Sequence, residues 1–151
     1  MNNFTEEYMR EADCEAIQGF KKQLDYCCEV AIKIDNHEYK ENIYRAFSKG
    51  INNKYLFSGD WSGKDVYFYK RSMVVWLPSD GWLDNKILKI CKERNYDYNV
   101  GTTKQPNYGW WVQINDRELE DPEDVILIKG HNNPLIAKIK LLKQLIKESE
   151  E

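Results

Sequence analysis

The feature that most constrains the fold is a short apolar segment that runs into a proline. Residues 73–77 are almost continuously apolar, which is typical of a strand buried on both faces. Pro78 has no amide hydrogen and a fixed φ, so the strand is expected to end there. Ser79 or Asp80 can then cap a helix. The segment therefore predicts a buried strand that passes directly into a helix.

Two amphipathic helices are predicted in the second half of the chain. Beyond the proline, Leu83, Ile87, Ile90 and Cys91 recur at helical spacing and form a core-facing stripe. Further on, Asn133 is a good N-cap, and Pro134 suits the first position of a helix. The apolar stripe of this last helix consists of Leu135, Ile139, Leu142, Leu145 and Ile146.

Several other segments are predicted to be strands. Apolar residues alternate along residues 26–34 and 110–114, and residues 96–100 and 125–128 are further strands. Residues 51–57 are expected to be a short strand or an extended loop, and residues 55–57 and 66–69 are expected to pair as a hairpin. Apolar residues at four-residue spacing predict a helix over residues 4–12, and Asp13 can cap a second short helix over residues 14–20, so two small helices or one bent helix are expected. Residues 38–49 also have helical spacing and are predicted to be a helix, with a strand as the open alternative.

Together these elements predict an α+β fold, with a mostly antiparallel sheet of about five strands and amphipathic helices packed on it. The 151 residues are enough to bury a core without a disulfide or a metal. No repeat, linker or low-complexity segment interrupts them. A single domain over residues 1–151 is therefore expected.

Charge and hydropathy restrict the partners and the compartment. The chain has 22 basic and 25 acidic residues, a balance that argues against nucleic acid as the partner. It has no apolar run long enough to cross a membrane and no signal peptide, so no membrane contact and a cytoplasmic location in the host cell are expected. Composition leaves self-association open.

No catalytic or metal-binding constellation is recognisable. The four cysteines lack the paired spacing of zinc ligands, and they are expected to be reduced thiols. His37 and His131 lie in turn-like segments outside any catalytic motif. The chain is therefore predicted not to be an enzyme and to have no cofactor.

Tryptophans and acidic residues are the candidates for a binding surface, because tryptophan is enriched among residues that dominate protein interfaces. The protein-binding candidates are Trp61, Trp82, Trp111, Glu118, Glu120 and Asp121. Because Trp110 and Trp111 are neighbours on a predicted strand, one ring should face the core and the other should not.

An aromatic-lined ligand cleft is the alternative interpretation of some of these residues. Its candidates are Asp60, Trp61, Asp80 and Trp82. Such a cleft would make the chain a small-ligand binding domain or an enzyme of unfamiliar type.

Two segments have recognisable patterns. Residues 4–18 are FTEEYMREADCEAIQ, similar to an opening FxxEYMxxAxxxEIQ, except that Ala16 replaces the usual acidic residue. Residues 76–83 contain WLPxxxxL, with Gly81 where a polar residue is usual. Together they resemble small proteins encoded by phages and prophages of low-GC Gram-positive bacteria. The segment from Asn133 onward further resembles small phage α-β-α sandwich domains.

The resemblance implies a phage or prophage accessory protein but no particular activity. We therefore expect a non-enzymatic accessory protein that binds a host or phage protein, with counter-defence as one candidate role. In that role the acidic run at residues 116–124 would stand in for the phosphates of a nucleic acid.

Overall fold

The computed structural model describes residues 5–20, 29–34, 38–39, 44–48, 54–58, 66–102, 109–118, 124–131 and 133–149. The chain divides into two compact units, Asn2–Pro78 and Ser79–Glu151. The strands form two antiparallel sheets, one of five strands and one of three, so the predicted α+β class with antiparallel pairing is confirmed. The single domain over residues 1–151 stays a prediction.

The first unit combines two short helices with the five-stranded sheet. In chain order its elements are α1 (Glu6–Ala12), α2 (Glu15–Gln18), β1 (Glu29–Ile32), β2 (Tyr44–Ser48), β3 (Lys54–Ser58), β4 (Val66–Lys70) and β5 (Val74–Leu77). The strand order is β4-β3-β2-β1-β5. The predicted β3–β4 hairpin is present, whereas its loop at residues 59–65 lies outside the described residues.

Part of the predicted helix over residues 38–49 is the strand β2, so the helix prediction is wrong. β2 lies between two neighbours: Arg45 pairs with Glu29 of β1 on one side and with Ser58 of β3 on the other. The register of β2 against β3 shifts between Ala46 and Ser48, as it does at a β-bulge. Backbone pairing on both sides outweighs the helical spacing, and the irregular register hid the strand pattern.

A short connection shows that this sheet is strongly curled. β4 and β5 lie at opposite edges of the sheet, yet only the 3-10 turn Arg71–Met73 separates them along the chain. The two edges of a flat five-stranded sheet would lie about 19 Å apart. A 3-10 turn of this length advances roughly 8 Å. The sheet therefore curls until β5 begins near the end of β4.

The second unit is an α-β-β-β-α arrangement. Its elements are α3 (Asp80–Arg94), β6 (Tyr96–Thr102), β7 (Trp110–Asp116), β8 (Asp124–His131) and α4 (Pro134–Ser149), and its strand order is β6-β7-β8. Because an odd number of antiparallel strands separates the helices, α3 and α4 run in the same direction. Ion pairs near both ends, Asp84 with Lys138 and Arg94 with Glu148, agree with that direction.

The predicted strand-to-helix transition is confirmed. All four residues of β5 are buried, and α3 begins two residues after Pro78. Ser79 is its N-cap, because the Ser79 hydroxyl accepts a hydrogen bond from the Trp82 amide at 3.2 Å. Three of the four predicted stripe residues, Leu83, Ile87 and Cys91, are buried, whereas Ile90 is partly exposed. No helix among the described residues combines the length and apolar character that crossing a bilayer requires.

The cap of α4 provides a first test of this fold. Asn133 Oδ1 accepts a hydrogen bond from the Leu135 amide at 3.0 Å. Replacing Asn133 with Ala is expected to lower the free energy of unfolding by about 1 kcal/mol, because the amide loses its partner. Replacing Asn133 with Ser, which also caps helices well, should recover most of that loss. Urea denaturation measures both variants, and equal losses would contradict the capping role.

Candidate functional site

The structure separates the predicted binding residues. Trp111 lies in β7, and Glu118 follows the end of that strand. Trp82 lies in the first turn of α3, on the helical side of the unit. Asp60, Trp61, Glu120 and Asp121 lie outside the described residues.

The two faces of the β6-β7-β8 sheet have different environments. Val112, Ile114 and Ile126 are buried, and both α4 and α3 contact the sheet. Because side chains alternate along a strand, the intervening residues point to the opposite face. We call this face the outer sheet face. It is formed by Asp97, Asn99, Gly101, Trp111, Gln113, Asn115, Leu127 and Lys129.

Trp111 is the largest side chain on the outer sheet face, and it lies flat against a glycine. Trp111 is directly opposite Gly101 in the β6–β7 register. A side-chain carbon added to Gly101 would overlap the six-membered ring of the Trp111 indole. An aromatic ring that covers a glycine of an edge strand stabilises that pairing. The contact with Gly101 also holds the ring in place. Trp111 is partly exposed.

Apolar and polar groups surround this ring. Leu127, 39% exposed, is paired with Gln113, which is paired in turn with Asn99. Within the described residues, the buried Oδ1 atom of Asn115 has no hydrogen-bond partner. An apolar centre with polar neighbours is the usual composition of a protein-binding surface.

Charged residues lie at one end of the outer sheet face. Arg117 forms an exposed ion pair with Asp97. Glu118 accepts a hydrogen bond from the Asn95 side chain at 3.3 Å, and the Glu118 amide donates to Asp116 at 3.0 Å. The described start of the predicted acidic run is therefore a hydrogen-bonded turn of mixed charge.

A second polar cluster lies on the helical side of the same unit. We call it the Lys138 cluster, formed by Asp80, Asp84, Tyr98 and Lys138. The Lys138 ammonium donates to Asp80 at 2.6 Å and to Asp84 at 3.1 Å. The Tyr98 hydroxyl donates to Asp84 at 3.0 Å. Lys138 is only 5% exposed, so a buried cation links α4 to α3. Tyr98 links β6 to the Asp84 carboxylate of α3.

The electrostatics of the Lys138 cluster keep its protons in place. Burial alone would lower the pKa of Lys138, but the hydrogen bonds to Asp80 and Asp84 outweigh it and raise that pKa above its ordinary value. Burial and the Asp84 carboxylate raise the pKa of Tyr98 well above its ordinary value. At neutral pH Lys138 is therefore an ammonium and Tyr98 a neutral phenol. Neither group is in the deprotonated form that a general base requires.

This cluster changes the interpretation of the predicted ligand cleft. Asp80 and Trp82 lie in the same turn of α3, but the Asp80 carboxylate is engaged with Lys138. Trp82 and Trp111, both candidates for protein binding, lie on different sides of the sheet, because α3 packs on one side and Trp111 is on the outer sheet face. The structure does not bring the two rings together.

Sequence reasoning missed Lys138. Lys138 lies three residues after Leu135 and four before Leu142, inside the apolar stripe of the last helix. A lysine within a core-facing stripe requires a buried partner. That spacing was the available signal, but the partners Asp80 and Asp84 are far away in the sequence.

The described cysteines, Cys14 and Cys91, are free thiols. Burial raises the pKa of Cys91 to about 11. The Cys14 thiol contacts the Glu11 carbonyl oxygen at 3.7 Å. Cys27 and Cys28 lie outside the described residues. Within the described ranges, no group of three or more His, Cys, Asp or Glu side chains is arranged to hold a metal ion.

Lys138 is expected to make a large contribution to stability. Lys138→Ala should lower the free energy of unfolding by about 2–3 kcal/mol, because the partly buried Asp84 carboxylate loses its cation. The value is at the lower end for a buried pair because solvent screens the carboxylates, whose side chains are 56% and 33% exposed. Urea denaturation measures it against Lys147→Ala, an exposed lysine of the same helix. Similar losses in the two variants would contradict the buried link.

Cys91 is expected to make the stability fall at alkaline pH. Its folded pKa of about 11 is above the ordinary 9.0, so the unfolded thiol ionises first as the pH rises. The contribution of the Cys91 thiol to the free energy of unfolding is complete below pH 9 and is lost progressively up to about pH 11. Urea denaturation across this range should show a smaller decline for Cys91→Ala than for the wild type. Identical declines would show that this thiol is not the cause.

Comparison with known proteins gives no assignment: the chain matches no family model, no curated protein and no solved structure. The resemblance to phage and prophage proteins stays a prediction. Its two segments nevertheless meet in the first unit. Tyr8 donates to the Pro78 carbonyl oxygen at 2.6 Å, and Gln18 is hydrogen bonded to the Trp76 backbone. The pattern residues therefore include contacts that hold the fold.

Proposed function

We propose that the chain is a non-enzymatic accessory protein of a phage or prophage. It acts in the host cytoplasm by binding a host or phage protein, and the outer sheet face is its contact surface. The observation that carries this proposal is the Trp111 ring, held on Gly101 on the same sheet face as the exposed Leu127. A ring that is already positioned loses little conformational freedom on binding, and tryptophan is enriched at the energetic centre of protein interfaces.

The charges around this surface favour a protein partner over a nucleic acid. Asp97, Arg117, Glu118 and Lys129 are of both signs, and Arg117 is already paired with Asp97. A nucleic acid requires a predominantly basic surface that releases counterions from phosphates. Mixed charges around an apolar centre are instead usual at the rim of a protein interface.

The chemistry of the described titratable groups supports a binding role rather than catalysis. Catalytic acids, bases and nucleophiles usually have pKa values moved towards neutrality. The pKa values of Lys138, Tyr98 and Cys91 are moved in the opposite direction, away from it.

The phage assignment rests on the two sequence patterns and on the contact between them. Gln18 and Tyr8 of the first pattern bond to Trp76 and Pro78 of the second. Because these hydrogen bonds join the two patterns, a protein with the same fold is expected to keep both patterns. They support a shared fold with phage proteins and leave the binding surface to be found elsewhere in the chain.

A pair of matched leucine variants tests the contact surface. A partner is first identified by affinity capture from the bacterial host and purified, and its dissociation constant is measured by calorimetry. Leu127→Lys should weaken binding at least tenfold, because it places a charge at the apolar centre of the interface. Leu88→Lys is the control, since Leu88 is 51% exposed on α3, on the helical side.

The two variants separate the proposal from its alternatives. Equal affinities for Leu127→Lys and the wild type would contradict the outer sheet face as the contact surface. Weaker binding by Leu88→Lys alone would move the interface to the helical side. Turnover of a substrate by the purified protein would contradict the non-enzymatic role.

A further inference from the structure

Among the strands that the structure describes, β5 is at the edge of its sheet, although all four of its residues are buried. Its inner side pairs with β1, and the Met73 carbonyl oxygen accepts from the Lys33 amide at 2.7 Å. Residues of an antiparallel strand point their backbone groups alternately to one side and the other. Val75 therefore faces β1, whereas Trp76 points its N–H and C=O groups outward. An edge of this kind can pair with another strand.

A side chain takes the place of that other strand. The Trp76 amide donates to Gln18 Oε1 at 2.9 Å, and Gln18 Nε2 donates to the Trp76 carbonyl oxygen at 2.9 Å. A carboxamide has the same donor and acceptor as a peptide group, so Gln18 bonds to Trp76 as one residue of a neighbouring strand would. Gln18 Nε2 also donates to the Ala12 carbonyl oxygen at 2.8 Å, which ties the amide to the end of α1.

The rest of α1 and α2 covers the same edge. We call residues Glu6–Gln18 the α1–α2 strap. The Tyr8 hydroxyl bonds to the Pro78 carbonyl oxygen just beyond β5, and Tyr8, Met9, Ala12 and Ile17 are buried. α1 contacts β5 directly. The strap therefore supplies apolar cover and hydrogen bonds to one strand edge.

We propose that the α1–α2 strap is an edge guard, and that lifting it allows β5 to pair with β5 of a second copy of this chain. β5 has the sequence Val-Val-Trp-Leu and contains no charge that would repel its own copy. Its β-branched, apolar composition suits strand pairing. An antiparallel pair of identical strands about a two-fold axis satisfies both edges with the same contacts. Charged side chains, bulges or prolines often protect such edges, and here a helical segment covers the edge.

Molar mass in solution tests the guard directly. The double variant Tyr8→Phe/Gln18→Ala, in the full chain, removes the hydrogen bond from Tyr8 to Pro78 and the two hydrogen bonds between Gln18 and the Trp76 backbone. Light scattering after size-exclusion chromatography should give twice the wild-type molar mass for this variant. Gln144→Ala, at an exposed glutamine of α4, is the matched control and should keep the wild-type mass. A folded double variant with the wild-type mass would overturn the proposal.

Hydrogen exchange of the wild-type chain gives a second test that does not depend on folding of the variant. In urea below the main unfolding transition, the amides of α1 and the Trp76 amide should exchange together, as one locally opening segment. The Val75 amide, which faces β1, should exchange at least tenfold more slowly. Equal protection of Trp76 and Val75 would show that the strap does not open separately, and would overturn the proposal.

Discussion

Two hydrogen bonds between the Gln18 carboxamide and the Trp76 backbone join the N-terminal helices to the sheet of the first unit. The groups that they satisfy lie on a buried edge strand, where each group without a partner would cost about 1–3 kcal/mol. Pro78 follows the last residue of β5. It ends β5, offers its carbonyl oxygen to Tyr8, and leaves Ser79 to cap α3. One short segment therefore ends a strand, holds the strap and begins a helix.

The second unit depends on the number of its strands. Three antiparallel strands make α3 and α4 parallel, so the first turns of the two helices lie side by side. This arrangement brings Asp80 and Asp84 to Lys138 and keeps the buried cation neutralised. Both helices occupy one face of the sheet, which leaves the other face for Trp111 and Leu127. Core and proposed binding surface are thus separated by the sheet itself.

Local signals predicted the elements that depend on neighbouring residues. Pro78 and Ser79 define the β5–α3 transition, and Asn133 with Pro134 defines the start of α4. Elements that depend on distant partners were not predictable in the same way. β2 is a strand because of its pairing on both sides, and its register shift hid its period.

The candidate site follows the same division. Alternation along β7 placed one of two adjacent tryptophans outward, and Trp111 lies on the outer sheet face. Its distance from Trp82 follows from the packing of α3, which no local pattern contains. The role of Lys138 could likewise not be predicted without the fold, because its partners lie more than fifty residues away in the sequence.

The free energy of unfolding of the single variant Gln18→Ala tests the central claim, that the carboxamide of Gln18 completes the edge of β5. Urea denaturation at neutral pH should show a loss of about 2 kcal/mol relative to the wild type, because two buried backbone groups lose their partners together. A loss below about 0.5 kcal/mol, as for an ordinary surface substitution, would contradict it.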